Sequence, residues 1–173
     1  MVISDPWTDE LRELFIDLLL VGHDAIPVFE TLDQLDLFVP LLPEWKPARS
    51  RPQRNAYHRF TVDRHLLETA AEASKLADRV DRPDLLVIGA LLHDIGKPYP
   101  GDHTEVGVQL INSIAGRMGF PKADIEILIE MCQHHLLLPD IATRRDLDDF
   151  DTIQTVGNSL KTFESVRLLH SLT

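Results

Sequence analysis

Residues 85–92, LLVIGALL, are apolar without interruption and run straight into His93-Asp94. The stretch is far too short to span a bilayer, which needs about 20 apolar residues. It reads instead as a helix that is apolar all round, and such a helix belongs at the centre of a bundle. Pro83 sits at a typical first helical position, and Asp84 complements the helix dipole. The pattern predicts a helix over 84–95, with Gly96 as its C-terminal stop. A carboxylate beside a histidine at the end of a buried helix is costly unless a cation compensates it. Any chemistry of this chain is therefore sought first at His93-Asp94.

The rest of the chain is also helical in pattern. Leu11, Leu14, Phe15, Leu18 and Leu19 have helical spacing, which predicts a helix over 8–20. Further helices are expected over 26–39, opened by Pro27, and over the alanine-rich 61–80. Others follow over 104–118, ended by Gly119, and over 121–138, opened by Pro121. Shorter helices are expected at 149–156 and 159–172, with a loop at 139–145. Pro40, Pro43, Pro47 and Pro52 make 40–55 an irregular arm, and Lys46, Arg49, Arg51 and Arg54 make that arm basic. No alternating stretch is long enough to predict a strand. The expected fold class is all-α, a compact helical bundle, with N-terminal helices over 1–40 leading into a domain over 41–173.

Composition narrows the function. The 28 Asp+Glu against 17 Lys+Arg give a net charge of −11 over 173 residues, which argues against a nucleic-acid partner. The single cysteine, Cys132, excludes an intrachain disulfide, suits a reducing cytoplasmic compartment and reads as a core residue. The start MVISDPWTDE is acidic and has no basic n-region, so neither a signal peptide nor a membrane partner is expected.

Of eight histidines, five fall between positions 65 and 135: His65, His93, His103, His134 and His135. Imidazole and carboxylate together suit borderline divalent metals, and a bundle can converge ligands from several helices on one pocket. A single histidine in a helical protein is more often a surface or hydrogen-bonded residue. His134 and His135 point about 100° apart on one helix, which fits one core and one exposed ring. On spacing alone, a metal site and a set of ordinary structural histidines both stand.

The spacing His65…His93-Asp94, and above all LLHDIGK over 91–97, resembles the HD phosphohydrolase signature H…HD…D. His103 with Gly107, followed by His134-His135, is similar to the fuller histidine set of HD domains that hold two metals. LPEW, RSRPQRNAYHRFTVDRHLLE, HDIGK…YPGDHTEVG and HHLLLPDIATRRDLDD narrow the resemblance to the HD domain of the bifunctional PII uridylyltransferase/uridylyl-removing enzymes. The resemblance covers roughly 26–173. It implies a fragment, with a nucleotidyltransferase domain before it and two glutamine-sensing ACT domains after it. It also places the last aspartate of the signature just beyond Leu172-Thr173, so weaker metal binding or a single ion is expected, with Asp102 or Asp146 as a substitute ligand.

What the resemblance implies can be set out by residue. His65, His93 and Asp94 hold one divalent ion, and Asp94, His103, His134 and His135 hold a second, with Asp94 bridging. The metal is Mn, Fe, Co, Ni, Zn or Mg. Lys97 clamps phosphate or, on the plainer view, offsets a helix dipole. Arg49, Arg51, Arg54, His58, Arg144 and Arg145 bind substrate or simply solubilise the surface. The reaction implied is hydrolysis of a phosphodiester joining UMP or AMP to a tyrosine of nucleotidylated PII signalling protein, releasing the nucleotide. The alternatives are an HD-type nucleotide phosphohydrolase with another substrate, and a catalytically inert regulatory module.

Overall fold

The computed structural model describes residues 5–53, 59–146 and 148–173, and the following concerns those residues alone. Helix α1 spans Asp9–Leu20; Thr8 caps it by accepting from the Leu11 amide at 3.2 Å, and Phe15 and Leu19 face inward. A 3-10 turn, Gly22–Ala25, leads into α2, Ile26–Gln34. The single helix expected over 26–39 is broken in the middle. Asp36 takes φ 53°, the Asp36 amide donates to Asp33 O, and the Leu37 amide donates to Leu32 O. These two bonds make a Schellman cap with aspartate where glycine is usual, and a short helix α3, Phe38–Leu41, follows.

The proline-rich arm folds onto the core rather than away from it. The 3-10 turn Pro43–Trp45 buries Trp45 against Phe38, with ring centroids 4.9 Å apart. Phe38 also meets Phe29 and Phe15, and Trp7 meets Phe15, so edge-to-face and stacked rings fasten the N-terminal helices together.

Helix α4, Val62–Ser74, stops short of the predicted position 80; a separate 3-10 turn, Ala77–Arg79, fills the gap. Helix α5, Pro83–Leu92, is the centre of the molecule: every residue from 85 to 92 is buried. It packs on α4, α7 and α1. Helix α5 ends three residues before the predicted 95. Tight i→i+3 bonds take over, from the Ile95 amide to Leu92 O, Lys97 to Asp94 O and Tyr99 to Gly96 O.

Gly96 is therefore not the helix stop the sequence suggests. A Cβ there would fall 2.0 Å from the His103 carbonyl oxygen and 2.7 Å from the Gly107 amide, so Gly96 lets the turn touch the next helix. That helix, α6, spans His103–Arg117, and Asp102 caps it by accepting from the Thr104 and Glu105 amides at 2.9 and 3.0 Å. It ends at Gly119 (φ 80°) in a second Schellman cap.

Helix α7, Lys122–His134, pairs with α6. Its N-terminus is tied to that of α5 by Arg82, which donates to Asp124 at 2.9 and 2.6 Å and to Asp84 at 3.0 and 2.7 Å. Where a loop was expected at 139–145, helix α8, Leu137–Arg144, is found; Pro139 is accommodated in its first turn, where amides lack partners. Helices α9, Phe150–Ser159, and α10, Phe163–Leu172, complete the chain, with α10 packed on α7 and α5. No strand occurs among the described residues, and the architecture is all-α, as the sequence predicts. Among the described residues, no helix is long and apolar enough to cross a membrane.

Candidate metal centre

The site forms where α4, α5, α6 and α7 bring their ends together. His65 lies in the first turn of α4. His93 caps the C-terminus of α5 and Asp94 follows it. His103 opens α6, and His135 caps the C-terminus of α7.

The same device orients two of the rings. His93 Nδ1 donates to Ala90 O at 2.7 Å, and His135 Nδ1 donates to Cys132 O at 2.7 Å. Each ring thereby satisfies a carbonyl that the last helical turn leaves open. Because a carbonyl only accepts, Nδ1 carries the proton in both rings. In the neutral imidazole Nε2 then presents a lone pair. Those lone pairs face Asp94: His93 Nε2 is 3.1 Å from Oδ2, and His135 Nε2 is 3.6 Å from Oδ1. His65 Nε2 lies 3.4 Å from Oδ2 and 3.2 Å from His93 Nε2.

Asp94 is 2 % exposed, and its Oδ1 has no hydrogen-bond partner. Lone pairs and a carboxylate converging out of water form a donor set that a cation would stabilise. The geometry supplies two places for one. His65, His93 and Asp94 can bring one donor atom each within 4.8 Å of one another, and so can Asp94, His103 and His135. Asp94 belongs to both triads. Nitrogen and carboxylate oxygen donors in this mixture fit a first-row divalent ion.

Charge is arranged to the same end. Burial raises the cost of charging Asp94, but the polar surroundings formed by His65 and His93 and the positive charge of Lys97 outweigh it and hold the carboxyl far below its ordinary range. Lys97 Nζ is 2.5 Å from Asp94 Oδ2. Burial pushes the His135 imidazole down from its usual 6.5, favouring the neutral form that ligates. Burial, helped by the Asp94 charge, pushes the Cys132 thiol up to about 12, and its Sγ donates to His93 O at 3.3 Å.

The triads open onto a cavity of about 430 Å³ lined by His65, His93, Asp94, Lys97, His103 and His135 with Thr69, and walled on the apolar side by Leu136, Pro139 and Leu172, next to Thr173. His134, half-buried at the end of α7, is in neither triad. Asp102 caps α6, and Asp146 accepts from the Asp148 amide; neither joins a triad.

Among the described residues, the arginines singled out by the sequence lie elsewhere. Arg49 is engaged by Asp33 at 2.8 Å and Asp36 at 3.1 Å, where it braces the left-handed turn after α2. Arg144 is near Asp140 at 3.7 Å, and Arg51 and Arg145 are exposed. Arg49, Arg51, Arg144 and Arg145 do not line the cavity. Arg54 and His58 lie outside the described residues. Sequence reasoning missed Thr69 and the apolar wall, whose residue types carry no signal of their own, and Gly107, where a Cβ would fall 2.9 Å from Cys132 Sγ. The glycine in HTEVG was visible as a motif position, but its packing was not.

A family model described as "HD domain" matches residues 62–161, more than half of the chain and every residue of both triads. The chain belongs to the HD domain family. The HD domain described here is 49% identical over 171 residues to the bifunctional uridylyltransferase/uridylyl-removing enzyme of Streptomyces coelicolor, covering 99% of this chain and 20% of that protein. It is 45% identical over 158 residues to the protein of the same name from Mycobacterium tuberculosis H37Rv, covering 91% of this chain and 20% of the relative. To that of Ruegeria pomeroyi it is 31% identical over 179 residues, again 20% of the relative's length. The chain thus spans about a fifth of these relatives. As an HD domain it is a hydrolase module, and its His/Asp cluster is the place that can hold a divalent ion.

Proposed function

We propose that this HD domain is a metal-dependent phosphodiesterase that removes a nucleotidyl group, UMP or AMP, from a tyrosine of the PII nitrogen-signalling protein. The observation that carries the proposal is Asp94, a carboxylate shared by two donor triads at the head of an open cavity. The similarity to proteins named uridylyl-removing enzymes supports the choice of substrate.

In this reading His65, His93 and Asp94 hold one ion, and Asp94, His103 and His135 hold the other. Divalent ions, when bound, supply positive charge to the phosphoryl oxygens and favour ionisation of an attacking water. The chain's own residues do the rest. The carbonyl-anchored His93 and His135 hold Nε2 toward Asp94 without needing to reorient. Lys97, whose ammonium sits on the cavity wall, grips a phosphoryl oxygen. Leu136, Pro139 and Leu172 receive the tyrosine ring and limit water around it. A phenol has a pKa of about 10, so the leaving group departs with little protonation and no strong general acid is required.

The test is incubation of the Mn-loaded chain with uridylylated and adenylylated PII, followed by chromatography of released nucleotide. Release of UMP or AMP that disappears in Asp94→Ala is expected. Intact PII of both kinds after prolonged incubation with metal-replete protein overturns the proposal.

A further inference from the structure

Lys97 has a second oriented partner besides Asp94. Its Nζ donates to Gln53 Oε1 at 3.2 Å. The other end of the same amide is also occupied, since Gln53 Nε2 donates to the Phe60 carbonyl at 3.3 Å. Close by, the Val62 amide donates to Arg51 O at 2.9 Å. The backbone entering α4 and the backbone leaving the proline-rich arm are thus joined twice, and Gln53 extends from that junction to the site lysine. Gln53 is half-buried and does not line the cavity, whereas Lys97 does.

We infer that Gln53 is a positioning residue that holds the Lys97 ammonium on the cavity wall, where it meets a phosphoryl group. The physical reason lies in the Asp94 contact. At 2.5 Å the Asp94 carboxylate is the stronger attractor, and it is 2 % exposed. An ammonium drawn mainly by Asp94 would settle onto that carboxylate and offer less of itself to an incoming anion. An amide oxygen attracts it from a second direction without adding charge, so the lysine keeps its full positive charge for phosphate. Both polar atoms of the Gln53 amide are used, which fixes its orientation; a shorter or charged side chain could not reproduce both contacts.

The inference rests on the phosphate-gripping role of Lys97 proposed above, and its test does not depend on turnover. The probe is inorganic phosphate titrated calorimetrically into the Mn-loaded chain, with metal content checked by elemental analysis. Gln53→Ala is expected to weaken phosphate binding about tenfold, the scale of a hydrogen bond to a charged group, with the metal content unchanged. Gln53→Glu is expected to weaken it too, because a carboxylate would neutralise Lys97. In a Lys97→Ala background the Gln53→Ala change should have no further effect, which a merely structural role for Gln53 would not produce. Equal phosphate affinity in wild type and Gln53→Ala, additive losses in the double variant, or no phosphate binding by the wild type each overturn the inference. Phosphate binding that follows the expected pattern in a chain inert toward nucleotidylated PII would leave the inference standing and remove the proposed substrate instead.

Discussion

A Cβ on Gly96 would lie 2.0 Å from the carbonyl oxygen of His103. The turn that carries Asp94 and the helix that begins with a candidate ligand therefore meet backbone to backbone. Gly96→Ala must push α6 away from that turn, because the atom in the way is main chain. The expected cost is about 1–3 kcal/mol, with a loss of metal from the Asp94, His103, His135 triad. Thermal unfolding together with elemental analysis reads both effects, and a variant as stable and as metal-replete as wild type would contradict the packing argument.

The two triads predict a hierarchy of metal loss. His65→Ala should remove one ion and leave the one served by His103 and His135. His103→Ala should do the reverse. Asp94→Ala should remove both, since it is the only residue common to the two sets. Metal-to-protein ratios after equilibrium dialysis distinguish these outcomes, and equal losses in all three variants would show that the donors act as one site.

Acid should destabilise the metal-free protein through His135. Its folded pKa lies below the usual 6.5, so between the two values the unfolded chain binds more protons. Stability is therefore present above the unfolded pKa and falls as pH drops from about 7 toward 5. Chelator-treated protein melted across this range should show a declining Tm, and the slope should flatten in His135→Gln. A slope unchanged by that substitution would assign the effect to other groups.

Cys132 should be inert in the native state. Its thiol is fully buried and held near pKa 12, so almost no thiolate exists at pH 8. Iodoacetamide should leave the folded protein unmodified and label it after denaturation, as judged by intact mass. Rapid labelling without denaturant would mean that α7 opens locally under native conditions.

The all-α class and the central helix were legible in the sequence because LLVIGALL admits few environments. Of the five histidines that the spacing singled out, His65, His93, His103 and His135 converge with Asp94 and His134 does not. Helix ends were less so. The break after α2 depends on Asp36 adopting a conformation that glycine usually supplies, and the early end of α5 depends on the His93 ring taking the Ala90 carbonyl. The first is decided by a backbone conformation and the second by a side-chain hydrogen bond, and residue type alone announces neither. Arg49 illustrates the opposite difficulty. A cation in a basic arm suggested an anion partner, yet its partners are Asp33 and Asp36 of the same chain, brought near only by the fold. Gln53 gave no signal at all, since a lone amide in a loop has no periodicity and no charge.

The cavity wall runs from His65 on α4 to Leu172 at the end of α10. About a hundred residues of chain separate the two. At translation rates of about 5–20 residues per second, roughly 5–20 s pass between the emergence of the first of these residues and the last. Along a nascent chain the histidine of α4 therefore emerges well before the part of the wall that α10 supplies.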